Sequence, residues 1–489
     1  MSNLNSNEVS IPPEIIDTFK KTGLGYSWLI KGQAGVGKTT FALSLLHFFK
    51  KYEPIYLSTR VAPASIYAQF PFLEGRLQDF NILDATRTYI PPVNQPERMK
   101  DHLNNTLRFS SVPDFLKIIY EKVAQYESPV IVIDSWDAIV GQSNDERKNI
   151  ETLLTEYIRN TNAKLIFIAE SDSISLLDFI VDGILTLKDE SVAGRTLRTI
   201  EINKIRAVER RQKAYAYTLF NNQFQYISLF EKDKQIPITP FEITTDKNDL
   251  FSTGNAPLDE IYNGGLRPGT FNLLEVESTV PISSISSIFI GMLCQFIQQG
   301  RGAIVHTTDG INSDLIDKKR LFLYLQTDTI SRNMRILQTQ ISDRKEIRPY
   351  IRLVDDVSYN DIFFDTYSKL SSISKFQPVF AGISYDSLQF MVDFNKAMRD
   401  FENHLKLIRN SNVIELGIIN STSPGQAKAS QDLGALTTNL SYIASTHIKV
   451  IERHGSIFLY AIKPRSSCLF AMKTNYDKGF PQIELLPVV

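Results

Sequence analysis

Cysteine and histidine are scarce in this sequence, and their spacing excludes two common kinds of site. The 489 residues include only two cysteines, Cys294 and Cys468, which lie far apart and form no Cys-x-x-Cys pair. This usage fits a reducing compartment rather than a secreted protein held together by disulfides. The six histidines are scattered along the chain, which argues against a zinc site.

Net charge and long apolar runs are lacking as well. The formal net charge is −1 and the isoelectric point is near 6.6, so the field of the whole protein attracts neither DNA nor an anionic membrane. The longest apolar run, residues 285–294, is too short to span a bilayer, and residues 1–10 show no signal-peptide pattern. We therefore expect a cytoplasmic protein without a membrane or nucleic-acid partner. A chain of this length predicts two or three domains.

The most informative stretch is a glycine-rich turn at residues 32–40, reading GQAGVGKTT. It follows an apolar run predicted as a strand and precedes a helical pattern, which is the setting of a phosphate-binding loop. Backbone N–H groups of such a loop point at an anion, its lysine reaches the β- and γ-phosphates, and its hydroxyl holds Mg²⁺. The residues predicted to contact the nucleotide are Gly32, Gln33, Ala34, Gly35, Val36, Gly37, Lys38, Thr39 and Thr40.

An acidic residue ends a second apolar run. Residues 129–136 read PVIVIDSW, and a run that is apolar on both faces is typical of a central parallel strand. Asp134 would lie at the carboxyl end of that strand, where open α/β sheets place their ligands. The sequence therefore predicts that Asp134 and Thr39 hold the Mg²⁺ of a bound ATP.

The second half of the chain repeats the first in a degenerate form. Residues 231–248 carry charges and prolines without periodicity and are predicted to be a linker between domains at 1–230 and 249–489. Superposing Gly269 on Gly25 replaces Gly37 by Pro281 and Lys38 by Ile282. The second domain should keep the fold but fail to bind nucleotide in the usual way, because the cation is gone and proline has no N–H.

Further landmarks recur in both halves. Residues 378–384, followed by Tyr385-Asp386-Ser387, echo residues 129–135, and residues 413–420 echo the strand that ends at Glu170. A Lys-x-Arg triplet ends a late strand in each half, at residues 204–206 and 463–465. The first triplet lies in a basic segment, 195–213, which is either a solvated hairpin or a set of side chains aimed at phosphate.

In this order the motifs resemble those of RecA-superfamily ATPases of the KaiC type, especially archaeal KaiC-like proteins and the gas-vesicle regulator GvpD. The resemblance is carried by the loop at 32–40, VIVIDS at 130–135, IVDGILTL at 180–187, INKIR at 202–206 and STGNAPLDEIYNGGLRPGT at 252–270. It covers nearly the whole chain. It implies an α/β fold of two tandem RecA-like P-loop domains, each a mainly parallel sheet flanked by helices, the second degenerate.

The resemblance also implies roles for particular residues. In KaiC-like rings a Lys-x-Arg pair reaches the γ-phosphate of the neighbouring subunit, so Lys204 and Arg206 look like trans-acting fingers; Lys463 and Arg465 match the same pair. KaiC-type ATPases place acids just after the second strand to polarise the attacking water, but this chain reads Ser58-Thr59-Arg60-Val61 there, with no carboxylate. Glu170 is the nearest candidate for that catalytic role.

Three functions are open at this point. The first is an ATP-binding regulatory protein with slow hydrolysis, which controls a ring-like homo-oligomer or a protein partner such as a transcriptional regulator. The second is a DNA-repair or recombinase paralogue, which the near-neutral charge disfavours. The third is a structural pseudo-ATPase, which the intact first loop disfavours.

Overall fold

The computed structural model describes residues 10–22, 25–49, 53–73, 81–84, 119–121, 124–139, 144–170, 173–230, 239–306, 321–338, 349–354, 359–385, 394–421 and 430–489. The chain divides into two compact units. The first is Met1–Ser228 with Val488–Val489, and the second is Leu229–Pro487.

The first unit contains a sheet that is parallel over most of its width. Its strands are β1 Tyr26–Lys31, β2 Glu53–Ser58, β3 Asn81–Asp84, β4 Pro129–Asp134, β5 Lys164–Ile168, β6 Gly183–Val192, β7 Arg195–Lys204, β8 Ala214–Thr218 and β9 Gln225–Tyr226. The order is β3-β2-β4-β5-β1-β6-β7-β8-β9. In this order, neighbouring strands from β3 through β2, β4, β5 and β1 to β6 pair in parallel. Strands β7, β8 and β9 then extend the sheet by antiparallel pairing.

Helices cover this sheet because its central strands are apolar on both faces. They are α1 Pro13–Lys21, α2 Lys38–Phe48, α3 Pro63–Gln69, α4 Asn144–Arg159 and α5 Leu177–Ile180. All six residues of β1 are buried. Leu29 of β1 lies in one apolar cluster with Leu154 and Ile158 of α4.

The second unit has a sheet of the same design. Its strands are β10 Thr270–Glu277, β11 Ala303–His306, β12 Met334–Gln338, β13 Ile351–Leu353, β14 Val379–Ser384, β15 Val413–Ser421, β16 Thr446–Arg453, β17 Ser456–Lys463, β18 Leu469–Asn475 and β19 Gln482–Val488. The order is β13-β12-β11-β14-β15-β10-β16-β17-β18-β19. Alternate residues of β10 enter different clusters, with Leu274 and Val276 in one and Phe271 and Leu273 in the other.

Helices pack on this sheet too. They are α6 Ala256–Ile261, α7 Ile282–Gln298, α8 Leu321–Tyr324, α9 Thr327–Asn333, α10 Tyr359–Ile373, α11 Phe394–Arg409 and α12 Ser430–Ile443. The predicted α/β class, with mainly parallel sheets flanked by helices, is confirmed in both units. Among the described helices, none is both long and apolar enough to cross a membrane.

Strand pairing supports the ungapped superposition of the two halves. Trp28 pairs with Ile166 and Gly183, and Asn272 makes the matching pairs with Leu416 and Thr446. The same pairing places Ser384 of β14 opposite Ile418, as Asp134 of β4 is opposite Ile168. The second unit therefore has Ser384 where the first has Asp134, which corrects by one residue the predicted match of 378–384 to 129–135. Asp386 lies outside the described residues.

The described part of the segment predicted as a linker, residues 239–248, packs on the second unit. Phe241 is buried there, with its ring 5.0 Å from that of Phe480. The backbone N–H of Thr244 donates to Gln295, 2.9 Å away, and Asp246 forms an ion pair with Arg301. The sequence pattern missed this because a single apolar anchor and one ion pair create no periodicity.

Candidate functional site

The loop between β1 and α2 has the backbone of an anion-binding turn. Gly35 and Gly37 adopt left-handed conformations, with φ of 87° and 89°, and α2 begins directly afterwards at Lys38. A Cβ on Gly37 would lie 2.5 Å from the side chain of Leu219. The left-handed conformation thus favours glycine at position 37, and a side chain there would also have to displace Leu219.

Lys38 lies over the loop that precedes it. Its Nζ donates to the carbonyl oxygens of Gly32 at 2.5 Å and Gln33 at 2.8 Å. Gln33, Ala34 and Gly35 are exposed, so this cation is held at the open side of the loop. Both acceptors are neutral main-chain carbonyls, so the lysine can exchange them for a stronger, anionic partner.

Thr39 and Asp134, the two residues predicted to hold Mg²⁺, lie in contact. The Thr39 hydroxyl donates to Oδ2 of Asp134 at 2.6 Å, although the two residues are 95 positions apart. The Tyr56 hydroxyl of β2 donates to the same oxygen. Burial and the Asp134 carboxylate raise the pKa of Tyr56 well above its usual value, so it stays a donor. Asp134 is therefore aimed at the start of α2.

This donor set fits a magnesium ion that is bound with its substrate. The described residues contain no group of three or more histidine, cysteine, aspartate or glutamate side chains placed to hold a metal. Mg²⁺ in nucleotide sites uses few protein ligands and takes the rest from water and phosphate. A hydroxyl and a carboxylate in contact beside a glycine loop match that requirement.

Two side chains from the antiparallel part of the sheet support the loop, and the sequence analysis missed both. Tyr217 of β8 donates from its hydroxyl to the carbonyl of Val36 at 2.6 Å, and burial raises its pKa. Arg198 of β7 donates to the carbonyl of Gly35 at 3.3 Å and pairs with Asp189 at 2.9 Å. Arg198 belongs to the basic segment 195–213, but nothing in its local sequence distinguishes it from its neighbours.

Glu170 and Arg60 meet at the same edge of the sheet. Arg60 follows β2, Glu170 follows β5, and their side chains form an ion pair of 2.6 Å. Ser135, next to Asp134, donates to Glu170 at 3.4 Å. The predicted catalytic candidate thus lies beside the Thr39–Asp134 pair, with a guanidinium on its carboxylate.

Lys204 and Arg206 lie elsewhere in the unit. Lys204 of β7 pairs with Ile184 of β6, and Ile184 pairs with Leu29 of β1. Lys204 is therefore level with Leu29, which lies three residues, or ~10 Å along the strand, before the loop begins at Gly32. Its Nζ donates to the carbonyls of Asp178 at 3.0 Å and Phe179 at 3.1 Å. Burial and the charge of Arg206 lower the pKa of Lys204.

Arg206 forms an ion pair of 3.0 Å with Asp182 and is half exposed. Of the remaining basic segment, Arg211 pairs with Asp17 at 3.1 Å, and Arg210 donates to the carbonyl of Ile202 at 3.0 Å. These charges are therefore used largely within the unit.

The corresponding loop of the second unit is built differently. Pro281 has φ of −62° and ψ of 134°, an extended backbone where Gly37 is left-handed, and Ile282 takes the place of Lys38. The N–H groups of Ser278 and Val280 donate to the carbonyls of Ser421 and Glu277 at 2.9 Å. These N–H groups are satisfied within the protein, and the loop carries no cation at the lysine position.

Ion pairs of the second unit occupy the end of β10. The buried carboxylate of Glu277 accepts from both terminal nitrogens of Arg453, at 2.5 and 3.2 Å. Glu275 accepts from His447 at 3.1 Å and from Lys449 at 2.5 Å. Glu275 takes the position of Lys31, whose Nζ pairs with Asp178 at 2.8 Å in the first unit. The sign of the buried charge is thus reversed between the two halves.

Lys463 performs the same local task as Lys204. Its Nζ donates to the carbonyls of Ser441 at 2.7 Å and Tyr442 at 2.9 Å, at the end of α12. A lysine that satisfies the last carbonyls of a helix stabilises that helix end. The recurrence of the lysine therefore has a structural reason in both units.

Comparison with known proteins gives consistent matches. Residues 16–203 match the family of the GvpD gas vesicle protein, P-loop domain. Protein GvpD2 of Halobacterium salinarum is 23% identical over 487 residues, which cover 95% of this chain and 94% of that protein. Protein GvpD1 of the same organism is 26% identical over 315 residues, covering 60% of this chain and 55% of its own.

Similarity extends to another group of proteins. The circadian clock oscillator protein KaiC of Parathermosynechococcus lividus is 23% identical over 284 residues, covering 55% of this chain and 50% of KaiC. Together with the two sheets, these matches confirm the resemblance drawn from the motifs and the fold of two tandem RecA-like domains.

Proposed function

We propose that this chain, a KaiC-like protein of the RecA superfamily with a GvpD-type P-loop domain, is a regulatory protein controlled by Mg-ATP at its first unit. Binding and slow hydrolysis at that site would set its assembly or its binding to a partner. The second unit would keep the fold without binding nucleotide in the usual way.

The contact between Thr39 and Asp134 beside the left-handed glycines is the observation that carries this proposal. It supports binding of Mg²⁺ at these two residues, with Lys38 moving from the Gly32 and Gln33 carbonyls to the phosphates. The N–H groups of residues 32–40 would face the phosphate oxygens. Mg²⁺, when bound, would neutralise phosphate charge and orient the oxygens.

Hydrolysis is proposed to be slow because this chain has no carboxylate at residues 58–61, where KaiC-type ATPases place the acids that polarise the attacking water. Glu170 is the candidate base, and Arg60 pairs with it at 2.6 Å. Lys204 and Arg206 would contribute in trans, at the nucleotide of a neighbouring copy in a ring-like homo-oligomer. Their position away from their own loop is compatible with that role, because Lys204 donates to the carbonyls of Asp178 and Phe179 and Arg206 pairs with Asp182.

The regulated partner is proposed to be a protein. The resemblance of this chain to GvpD suggests that the partner is a transcriptional regulator. ATP and ADP would differ through the γ-phosphate, which only ATP offers to the residues of the site. Assembly or docking would then follow the nucleotide state.

Oligomeric mass tests this function directly. It is measured by light scattering without nucleotide, with ADP and with Mg-ATP, for the wild type and for Lys38→Ala, while phosphate release is recorded. We expect a mass change with Mg-ATP that Lys38→Ala abolishes, and slow phosphate release. Mass and turnover that ignore nucleotide in the wild type, with or without an added candidate partner, would contradict the proposal.

A further inference from the structure

The ion pair between Arg60 and Glu170 crosses the end of the strand that carries Asp134. The order of neighbouring strands is β2-β4-β5, so Arg60 after β2 and Glu170 after β5 are separated by β4. Neighbouring strands lie ~4.8 Å apart, so the pair spans ~10 Å above the carboxyl end of β4. The ion pair therefore lies at the same edge of the sheet as the contact between Thr39 and Asp134.

The backbone beneath the ion pair is tied together. The Thr59 N–H donates to the Asp134 carbonyl at 2.8 Å, and the Ser135 N–H donates to the Thr59 hydroxyl at 2.8 Å. The Val61 N–H donates to the Ser58 hydroxyl at 3.2 Å, which shapes the turn that presents Arg60. The ends of β2 and β4 are thus held as one piece, and the Arg60 side chain starts from a defined place.

The ion pair itself can be exchanged at little cost. The two side chains are 54% and 44% exposed, and exposed ion pairs contribute little to stability. A phosphate held at Lys38 and Thr39 would bring a multiply charged anion to this edge. Guanidinium groups bind phosphate through two parallel hydrogen bonds, which favours a partner change by Arg60.

We propose that Arg60 distinguishes ATP from ADP: it pairs with Glu170 when no γ-phosphate is present and turns to the γ-phosphate when ATP binds. This inference rests on the proposed Mg-ATP site. The exchange releases the Glu170 carboxylate only when a triphosphate is bound, so the candidate base becomes available together with its substrate. Arg60 is the cation of the segment 58–61, which contains no carboxylate, so the segment that follows β2 would carry a cationic sensor.

Isothermal titration of the full chain tests the assignment, with Mg²⁺ and either ADP or a non-hydrolysable ATP analogue. Arg60→Gln is expected to weaken binding of the ATP analogue about tenfold, which corresponds to the loss of one hydrogen bond to a charged group. The affinity for ADP should change less than about twofold. Glu170→Gln removes the carboxylate that competes for Arg60. It is expected to increase the affinity for the ATP analogue about threefold and to leave the affinity for ADP unchanged. Arg211→Gln is the matched control, because Arg211 is another exposed arginine in an ion pair, with Asp17.

The outcomes separate this inference from the proposed function. A wild type that binds neither ligand overturns the proposed site, and the sensor with it. A wild type that binds both, with Arg60→Gln weakening analogue and ADP equally or weakening neither, overturns the role of Arg60 alone. Analogue affinity that falls in Glu170→Gln contradicts the partner exchange.

Discussion

Glu275 allows the strongest quantitative prediction, because its buried carboxylate stabilises the second unit by an amount that depends on pH. It is only 5% exposed and is bonded to His447 and Lys449. Burial alone would raise the pKa of Glu275, but His447 and Lys449 outweigh it and lower the pKa from 4.5 to about 2. The carboxylate is therefore more stable in the folded than in the unfolded chain.

The sign and size of the effect follow from this depressed pKa. Its contribution is fully present above pH 4.5 and is lost as the pH falls through about 2. A depression of this size corresponds to about 3 kcal/mol at pH 7, declining to about 1 kcal/mol at pH 3. Glu275→Gln keeps the shape but removes the charge, so the second unit should lose about that free energy of unfolding.

Urea unfolding at pH 7, 5 and 3 measures the loss, with Glu260→Gln as control because Glu260 is an exposed glutamate of the same unit. We expect Glu275→Gln to shift the transition at pH 7 and 5, and much less at pH 3, while Glu260→Gln shifts it at none of them. A loss at pH 7 no larger than that of the control, or one that does not shrink at pH 3, would show that the ionised Glu275 carboxylate does not stabilise the second unit.

Four further variants probe the first site and the repeat. Asp134→Asn should retain folding but remove the Mg²⁺ dependence of ATP binding in titrations, and equal Mg²⁺ dependence would contradict its role. Gly37→Ala places a Cβ against Leu219 at a φ of 89°. It should lower the melting temperature by an amount equivalent to ~1–3 kcal/mol and weaken ATP binding. Ile282→Lys should create no second ATP site by dialysis, because the Pro281 backbone remains extended. Lys204→Met should destabilise the first unit by ~1 kcal/mol in urea through loss of the α5 carbonyl contacts, and an unchanged midpoint would contradict that.

Local sequence signals predicted the main elements of the first site because the residues within each element determine its conformation or its burial. The loop at 32–40 needs glycines at left-handed positions, and the observed backbone is left-handed at Gly35 and Gly37. An apolar strand ending in Asp134 requires a buried parallel neighbour, and β4 lies between β2 and β5. The ungapped repeat likewise agrees with the strand registers of both units.

Contacts between distant segments could not be predicted in the same way. Tyr217 and Arg198 support the loop from strands 181 and 163 residues away from the loop carbonyls they reach, and no periodicity reveals such partners. The pairing of Arg60 with Glu170 depends on the strand order β2-β4-β5, which is known only once the sheet is assembled. The packing of Phe241 on the second unit was hidden by a surrounding charged and proline-bearing sequence.

Only the first of the two units is expected to hold a nucleotide, so the number of nucleotides bound per chain distinguishes the two units. Equilibrium dialysis with Mg-ATP should give one nucleotide per chain for the wild type and for Ile282→Ala, and a loss of binding for Lys38→Ala. Two nucleotides per chain, or binding that survives Lys38→Ala but is lost in Ile282→Ala, would contradict the account.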